Sequence, residues 1–76
     1  GILDISGLTF SEIMKKMENA FGVKIVIERK NIPEIGFKEA ELHQSEGVES
    51  ALKSLQYAGV DFKYVNDFKT GVIYIR

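Results

Sequence analysis

Few side chains in this sequence could do chemistry, because it has one histidine and no cysteine. His43 stands near Glu41 and Glu46, and the three could in principle contribute to a metal site. Zinc sites need convergent ligands at characteristic spacings, and the neighbouring sequence provides none. We therefore expect His43 to be a solvated loop residue, and we expect no metal and no other cofactor.

The motifs of catalysis are also missing from the sequence. It contains no Gly-x-Ser-x-Gly elbow, no dinucleotide fingerprint and no phosphate-binding loop. Glu39 and Glu41 share one face of a predicted strand, and a buried carboxylate pair can act as acid and base. On an irregular edge strand, however, such charges more often keep the edge soluble. The sequence therefore predicts a protein that is not an enzyme.

Length and charge narrow the remaining classes. The 76 residues carry ten Lys and Arg against eleven Asp and Glu, a net charge of −1, and 45% are hydrophobic. This composition predicts one small globular domain and does not favour binding to nucleic-acid phosphates. The sequence lacks the glycine loop and aromatic strand motifs of RNA-binding modules, and has no convergent polar cluster for a small molecule. Because the chain begins with Gly1, we expect it to be a piece of a longer protein.

Two helices are predicted from apolar residues at helical spacing. The first covers Thr9 to Phe21, with Thr9 and Glu12 at capping-box spacing and Gly22 at its end. The second begins after Ser45, a predicted N-cap, and ends at Gly59. Its apolar stripe contains Val48, Ala51, Leu52, Leu55 and Ala58. We expect the core between the helices to be formed by Ile13, Met17, Leu52 and Leu55.

Alternating apolar residues predict the strands. These are Ile2–Ile5, Val23–Glu28, a less regular segment Ile35–Leu42, Val60–Val65 and, after a turn over Asn66–Gly71, Val72–Ile75. The pair Gly22-Val23 recurs as Gly59-Val60, each time between a helix and a strand. The order is thus βαβ followed by βαββ, which predicts one α+β domain made of two half-units.

Two features leave alternatives open. Between Glu39 and Leu52 there are four acids and no Lys or Arg, which indicates either a docking patch for a basic partner or acids that favour the start of the second helix. Phe68, in the last turn, and Tyr57, outside the helical stripe, are either exposed contact residues or fold back over the domain.

The order and spacing of these segments resemble the C-terminal periplasmic domain of FecR-type anti-sigma factors of Bacteroidetes. The resemblance is carried by LTFSEIMKKMENAFGVKIVI at residues 8–27, SEGVESALKSLQYAGVDFKYV at residues 45–65 and the closing GVIYIR. The middle strand, IGFKEAEL, departs from the family pattern because its glycine precedes Phe37 and none follows, and the final turn is slightly long. The alternative is the related short N-terminal domain of TonB-dependent receptors and secretins.

This resemblance implies two helices packed between two small sheets and a role in signalling. The chain would be the periplasmic domain of a single-pass inner-membrane regulator. It would receive a signal from the periplasmic signalling domain of a TonB-dependent outer-membrane transducer, while the rest of the protein controls an extracytoplasmic-function sigma factor. A sigma-binding region and one membrane helix upstream would support this reading, and a β-barrel downstream would support the alternative.

We expect the partner to pair with an exposed strand edge, since small sheets leave edges unpaired. The predicted edges are the terminal strand Val72–Ile75 and the middle strand around residues 37–41. The predicted partner-binding residues are Phe37, Glu39, Glu41, Phe68, Val72, Ile73 and Tyr74.

Overall fold

A computed structural model describes residues 1–76. Its elements, in chain order, are β1 (Ile2–Asp4), α1 (Phe10–Phe21), β2 (Lys24–Ile27), β3 (Glu41–His43), a 3-10 turn (Gln44–Glu46), α2 (Val48–Tyr57), β4 (Tyr64–Asp67) and β5 (Val72–Ile75). The two helices and two small sheets confirm the predicted α+β class and element order. Neither helix has the length and apolar character needed to span a bilayer.

The strands form one two-stranded and one three-stranded sheet. In the first, β1 pairs antiparallel with β3, and Leu3 lies opposite Leu42. In the second the order is β2-β5-β4, with β5 parallel to β2 and antiparallel to β4. The prediction that the terminal strand is an exposed edge is therefore wrong, because β5 has a hydrogen-bonded neighbour on both sides.

One hydrophobic core joins both sheets to both helices. All thirteen buried residues are hydrophobic, and they include Leu42 of the first sheet and Ile73 of the second. The predicted interhelical residues are at most 2% exposed, which confirms their assignment: Ile13, Met17, Leu52 and Leu55. The rings of Phe10 and Phe62 meet edge to face with centroids 5.3 Å apart, so α1 is also packed against the segment before β4.

Both ends of α1 are formed by local hydrogen bonds, as the sequence predicts. The Thr9 hydroxyl accepts the Glu12 N–H, and the Glu12 carboxylate accepts the Thr9 N–H, which completes a capping box. Gly22 ends the helix at φ 64°, a left-handed conformation that favours glycine, and donates its N–H to the Glu18 carbonyl. The predicted start and stop of α1 are thus confirmed.

The start of α2 differs from the prediction, and its end agrees with it. Ser45 lies within the 3-10 turn, and the N-cap is Gly47, at φ 89° and without a side-chain cap. At the other end, Gly59 donates to the Gln56 carbonyl (3.0 Å) and Val60 to the Leu55 carbonyl (3.1 Å). These two bonds are a Schellman motif, so the predicted ending at Gly59 is confirmed.

The middle strand begins later than predicted and ends one residue further on, since β3 covers only residues 41–43. Residues 35–40 are instead tied to the connection between β1 and α1: Gly7 donates to the Phe37 carbonyl (2.9 Å), and Ala40 donates to the Ser6 hydroxyl (3.0 Å). A side chain has taken the place of a strand partner here. The alternation of apolar residues alone does not show that a side chain, rather than a neighbouring strand, is the hydrogen-bond partner.

The strand predicted at Val60–Val65 begins later, at Tyr64, and includes Asn66 and Asp67, which the sequence pattern places in the turn. Two backbone carbonyls before β4 accept hydrogen bonds from side chains. The Arg29 guanidinium donates to the Asp61 carbonyl (2.8 Å), and the Gln56 amide donates to the Phe62 carbonyl (3.0 Å). The segment before β4 is therefore held partly by long polar side chains, while Lys63 exchanges two backbone hydrogen bonds with Arg76 (2.7 and 2.8 Å).

The capping box makes stability depend on pH. Hydrogen bonds from the Thr9 backbone and hydroxyl lower the pKa of Glu12 from its ordinary value of 4.5. The folded state thus favours the charged carboxylate, and this stabilisation is present above pH 4.5 and lost as the pH falls through the lowered pKa. When the pH is lowered from neutral into the acid range, we expect the unfolding free energy of Glu12→Gln to fall by less than that of the parent. Urea titration at each pH measures both. Glu34→Gln, at an exposed position, is the control and should behave as the parent does.

Candidate functional site

The seven predicted partner-binding residues lie in three different places. Phe37, Glu39 and Glu41 line one cleft beside β3. Val72 and Tyr74 lie on the outer face of the three-stranded sheet, next to the turn that carries Phe68. The side chain of Ile73 is 1% exposed and belongs to the core, which is the physical reason why it offers no surface to a partner.

The cleft beside β3 has a volume of about 240 Å³ and lies between residues 37–42 and the C-terminal half of α2. Its floor is apolar, formed by Ile5, Leu42 and Leu55, and its α2 side includes Ala58. Glu39 and Glu41 lie at its strand side. We call this feature the β3 cleft.

Glu39 and Glu41 also border a second surface feature, on the face of the sheet where Asp4 lies opposite Glu41. Asp4, Glu39 and Glu41 line a shallow depression there together with Ser6. The Ser6 hydroxyl and N–H hold the pKa of Asp4 below its ordinary value of 3.8. Asp4 is therefore a carboxylate at neutral pH, and this part of the surface is negatively charged.

The outer face of the three-stranded sheet carries an apolar row. Tyr74 on β5 lies opposite Val26 on β2 and Val65 on β4. The Arg76 guanidinium lies 5.5 Å from the centroid of the Tyr74 ring and makes a 2.9 Å ion pair with Glu28. The row is thus open to solvent on one face and bordered by charge at one end.

Two aromatic residues that the sequence left open are exposed. Phe68 is 82% exposed and Tyr57 is 97% exposed, so neither folds back over the domain. The turn that carries Phe68 is closed by the Gly71 N–H donating to the Asp67 carbonyl (2.8 Å) and by the Lys69 N–H donating to the Asp67 carboxylate (3.0 Å). Both rings are available for contact, and whether Phe68, Val72 or Tyr74 contacts a partner stays a prediction.

One of the acids near the start of α2 has a structural role. Glu49, in the first turn of α2, accepts a 3.1 Å hydrogen bond from the Tyr64 hydroxyl. Burial raises the pKa of Tyr64 above its ordinary 10.0, and the bond to Glu49 raises it further. This pair joins α2 to β4 and gives Glu49 a role in the fold, and the docking patch stays a prediction.

His43 is exposed, as expected, but it is the last residue of β3 rather than part of a loop. No group of three or more His, Asp or Glu side chains is placed to hold a metal ion. Ser54 and Ala58 also line the β3 cleft, and neither is among the partner-binding residues predicted from the sequence. Their spacing could have indicated this, because two small residues four apart near the end of a helix leave room for a second chain to approach closely.

Comparison with known families gives one match. The family described as "FecR, C-terminal" matches residues 3–75, nearly the whole chain. Comparisons with curated proteins and with solved structures give no match.

Proposed function

The chain belongs to the FecR C-terminal domain family, and from this premise we propose that it is the periplasmic signal-receiving domain of an anti-sigma regulator. In this proposal the domain binds the periplasmic signalling domain of a TonB-dependent outer-membrane transducer. The remainder of an inner-membrane protein then controls an extracytoplasmic-function sigma factor. The match over residues 3–75 is the observation that carries the proposal.

The distribution of polar groups supports recognition by surface contact. Every buried residue is hydrophobic, so the charged side chains lie on or near the surface, where a protein partner can reach them. The surface also offers exposed aromatic rings at Tyr57 and Phe68, the residue type that most often dominates binding energy in interfaces. We therefore propose a protein partner, with no nucleic acid, no small-molecule ligand and no catalysed reaction.

Calorimetric titration with the signalling domains of TonB-dependent transducers from the same organism tests this proposal. We expect saturable one-to-one binding with a dissociation constant of about 1 μM, the range of transient signalling complexes. The signalling domain of a transducer from an unrelated system is the control and should not bind. Absence of binding to every transducer domain of the same organism, with this chain folded by circular dichroism, would contradict the proposal.

A further inference from the structure

The strand edges of this domain are not equally open. β5 is paired on both sides. On the outer edge of β2, the Ile25 N–H donates to the Glu18 carboxylate (2.7 Å), and on the outer edge of β1, the Asp4 carbonyl accepts from Lys16 (2.6 Å). Both edges are thus partly closed by side chains, one of the ways in which proteins prevent an added strand from pairing.

The outer edge of β3 carries no such protection. The bonds from Ile5 to the Ala40 carbonyl and from Gln44 to the Gly1 carbonyl (3.0 and 2.9 Å) show that even-numbered residues of this segment face β1. Antiparallel strands alternate, so Glu41 and His43 direct their N–H and C=O groups away from β1. The Glu41 N–H and C=O and the His43 N–H make no hydrogen bond within the molecule, whereas the His43 carbonyl accepts the first bond of the 3-10 turn that follows.

The outer edge of β4 is also open, at Tyr64 and Asn66, but it lacks a recess for a side chain. None of the clefts of the molecule is lined by a β4 residue. Beside β3, in contrast, the cleft lies between the strand and α2, and Leu42 and Leu55 contribute to its lining. An edge that runs beside a helix, with an apolar recess between them, is the arrangement by which β-strand addition obtains specificity.

The charges next to the β3 cleft select the occupant. In an added strand, one side chain would point into the cleft, and its two neighbours would lie on the opposite face of the sheet. That face carries Asp4, Glu39 and Glu41, and Lys16 donates to the Asp4 carbonyl on the β1 side. Basic neighbours would therefore be attracted to the site.

We propose that the outer edge of β3 and the β3 cleft together bind an extended segment of a partner protein. In this segment an apolar residue stands between two basic residues. The apolar side chain fills the space between Leu42 and Ala58, and the backbone pairs with the N–H and C=O of Glu41 and with the N–H of His43. The partner is the signalling domain of the proposed function. The identity of the partner therefore rests on that proposal, whereas the binding chemistry of the β3 cleft does not.

The first arm of the test uses the isolated chain and a short peptide of alternating lysine and leucine. Titration followed by amide NMR should move the Glu41, His43 and Ala58 signals most, and a peptide of alternating glutamate and leucine should move them less. Largest shifts at Tyr64 and Asn66, equal shifts with both peptides, or no shift with either would overturn the inference.

The second arm measures the affinity of the transducer's signalling domain for four variants of this chain. Glu41→Pro removes an outward N–H, and Ala58→Phe fills the cleft; each should weaken binding at least about tenfold. Glu41→Gln removes only charge and should weaken it less, and Asn66→Pro, on the β4 edge, is the matched control. Amide spectra establish that each variant is folded.

The two arms separate the two proposals. Unchanged affinity for folded Glu41→Pro and Ala58→Phe would overturn the inference and leave the proposed function intact. Peptide binding at the β3 cleft, without binding of any transducer domain, would contradict the proposed function and leave the β3 cleft as a binding site for an extended basic segment.

Discussion

Replacing Ile73 by proline is expected to unfold the domain. Glu28 donates to the Ile75 carbonyl across the parallel pair (2.8 Å), so residues 73 and 75 direct their backbone groups toward β2. Proline at 73 removes a donor from the middle of a central strand and also deletes a buried isoleucine side chain. The side-chain loss alone is of the order of 2–5 kcal/mol. The total stability of a 76-residue domain is roughly 4–11 kcal/mol.

Two companion variants identify the cause. Ile73→Ala keeps the N–H and should leave a destabilised but folded domain, whereas Asn66→Pro loses an N–H that points away from β5 and should also remain folded. Circular dichroism with urea titration gives the comparison. If Ile73→Pro were as stable as Asn66→Pro, β5 could not be the central strand.

The sequence does not show which strand pairs with β5 on its second side, although the composition of β5 is typical of a central strand. Val72 to Ile75 are four apolar residues in succession, with none of the charges that protect an exposed edge. The hairpin with β4 is local and easily predicted, but the pairing with β2 joins residues 48 apart, such as Lys24 and Val72. Local periodicity carries no information about such a partner.

The helices and their core are predictable because their determinants are local. Thr9, Glu12 and Gly22 fix α1 within its own segment, and helical spacing places Met17 and Leu55 in the core. In the two segments that differ from the prediction, residues 35–40 and 60–62, distant side chains supply part of the hydrogen bonding. Ser6 and Arg29 replace strand partners there, and no pattern within those segments indicates them.

The candidate site was only partly predictable for the same reason. Phe37, Glu39 and Glu41 were selected from one stretch, and the structure brings them together beside the β3 cleft. The other wall of that cleft comes from α2, including Ala58, and is placed there by packing. A strand edge can be proposed from sequence, but which edge is open depends on topology.

The substitution Leu52→Ala is expected to cost about 2–5 kcal/mol of unfolding free energy, the second large effect. Leu52 has no exposed surface and lies in the core shared by both helices and both sheets. Removing its branched end would leave a cavity that rigid neighbours fill only in part. Lys53→Ala, one residue along α2 and exposed, is the matched control and should change stability by no more than about 0.5 kcal/mol. Urea titration of both variants gives the difference, and a loss below about 1 kcal/mol for Leu52→Ala would mean that α2 buries a different face.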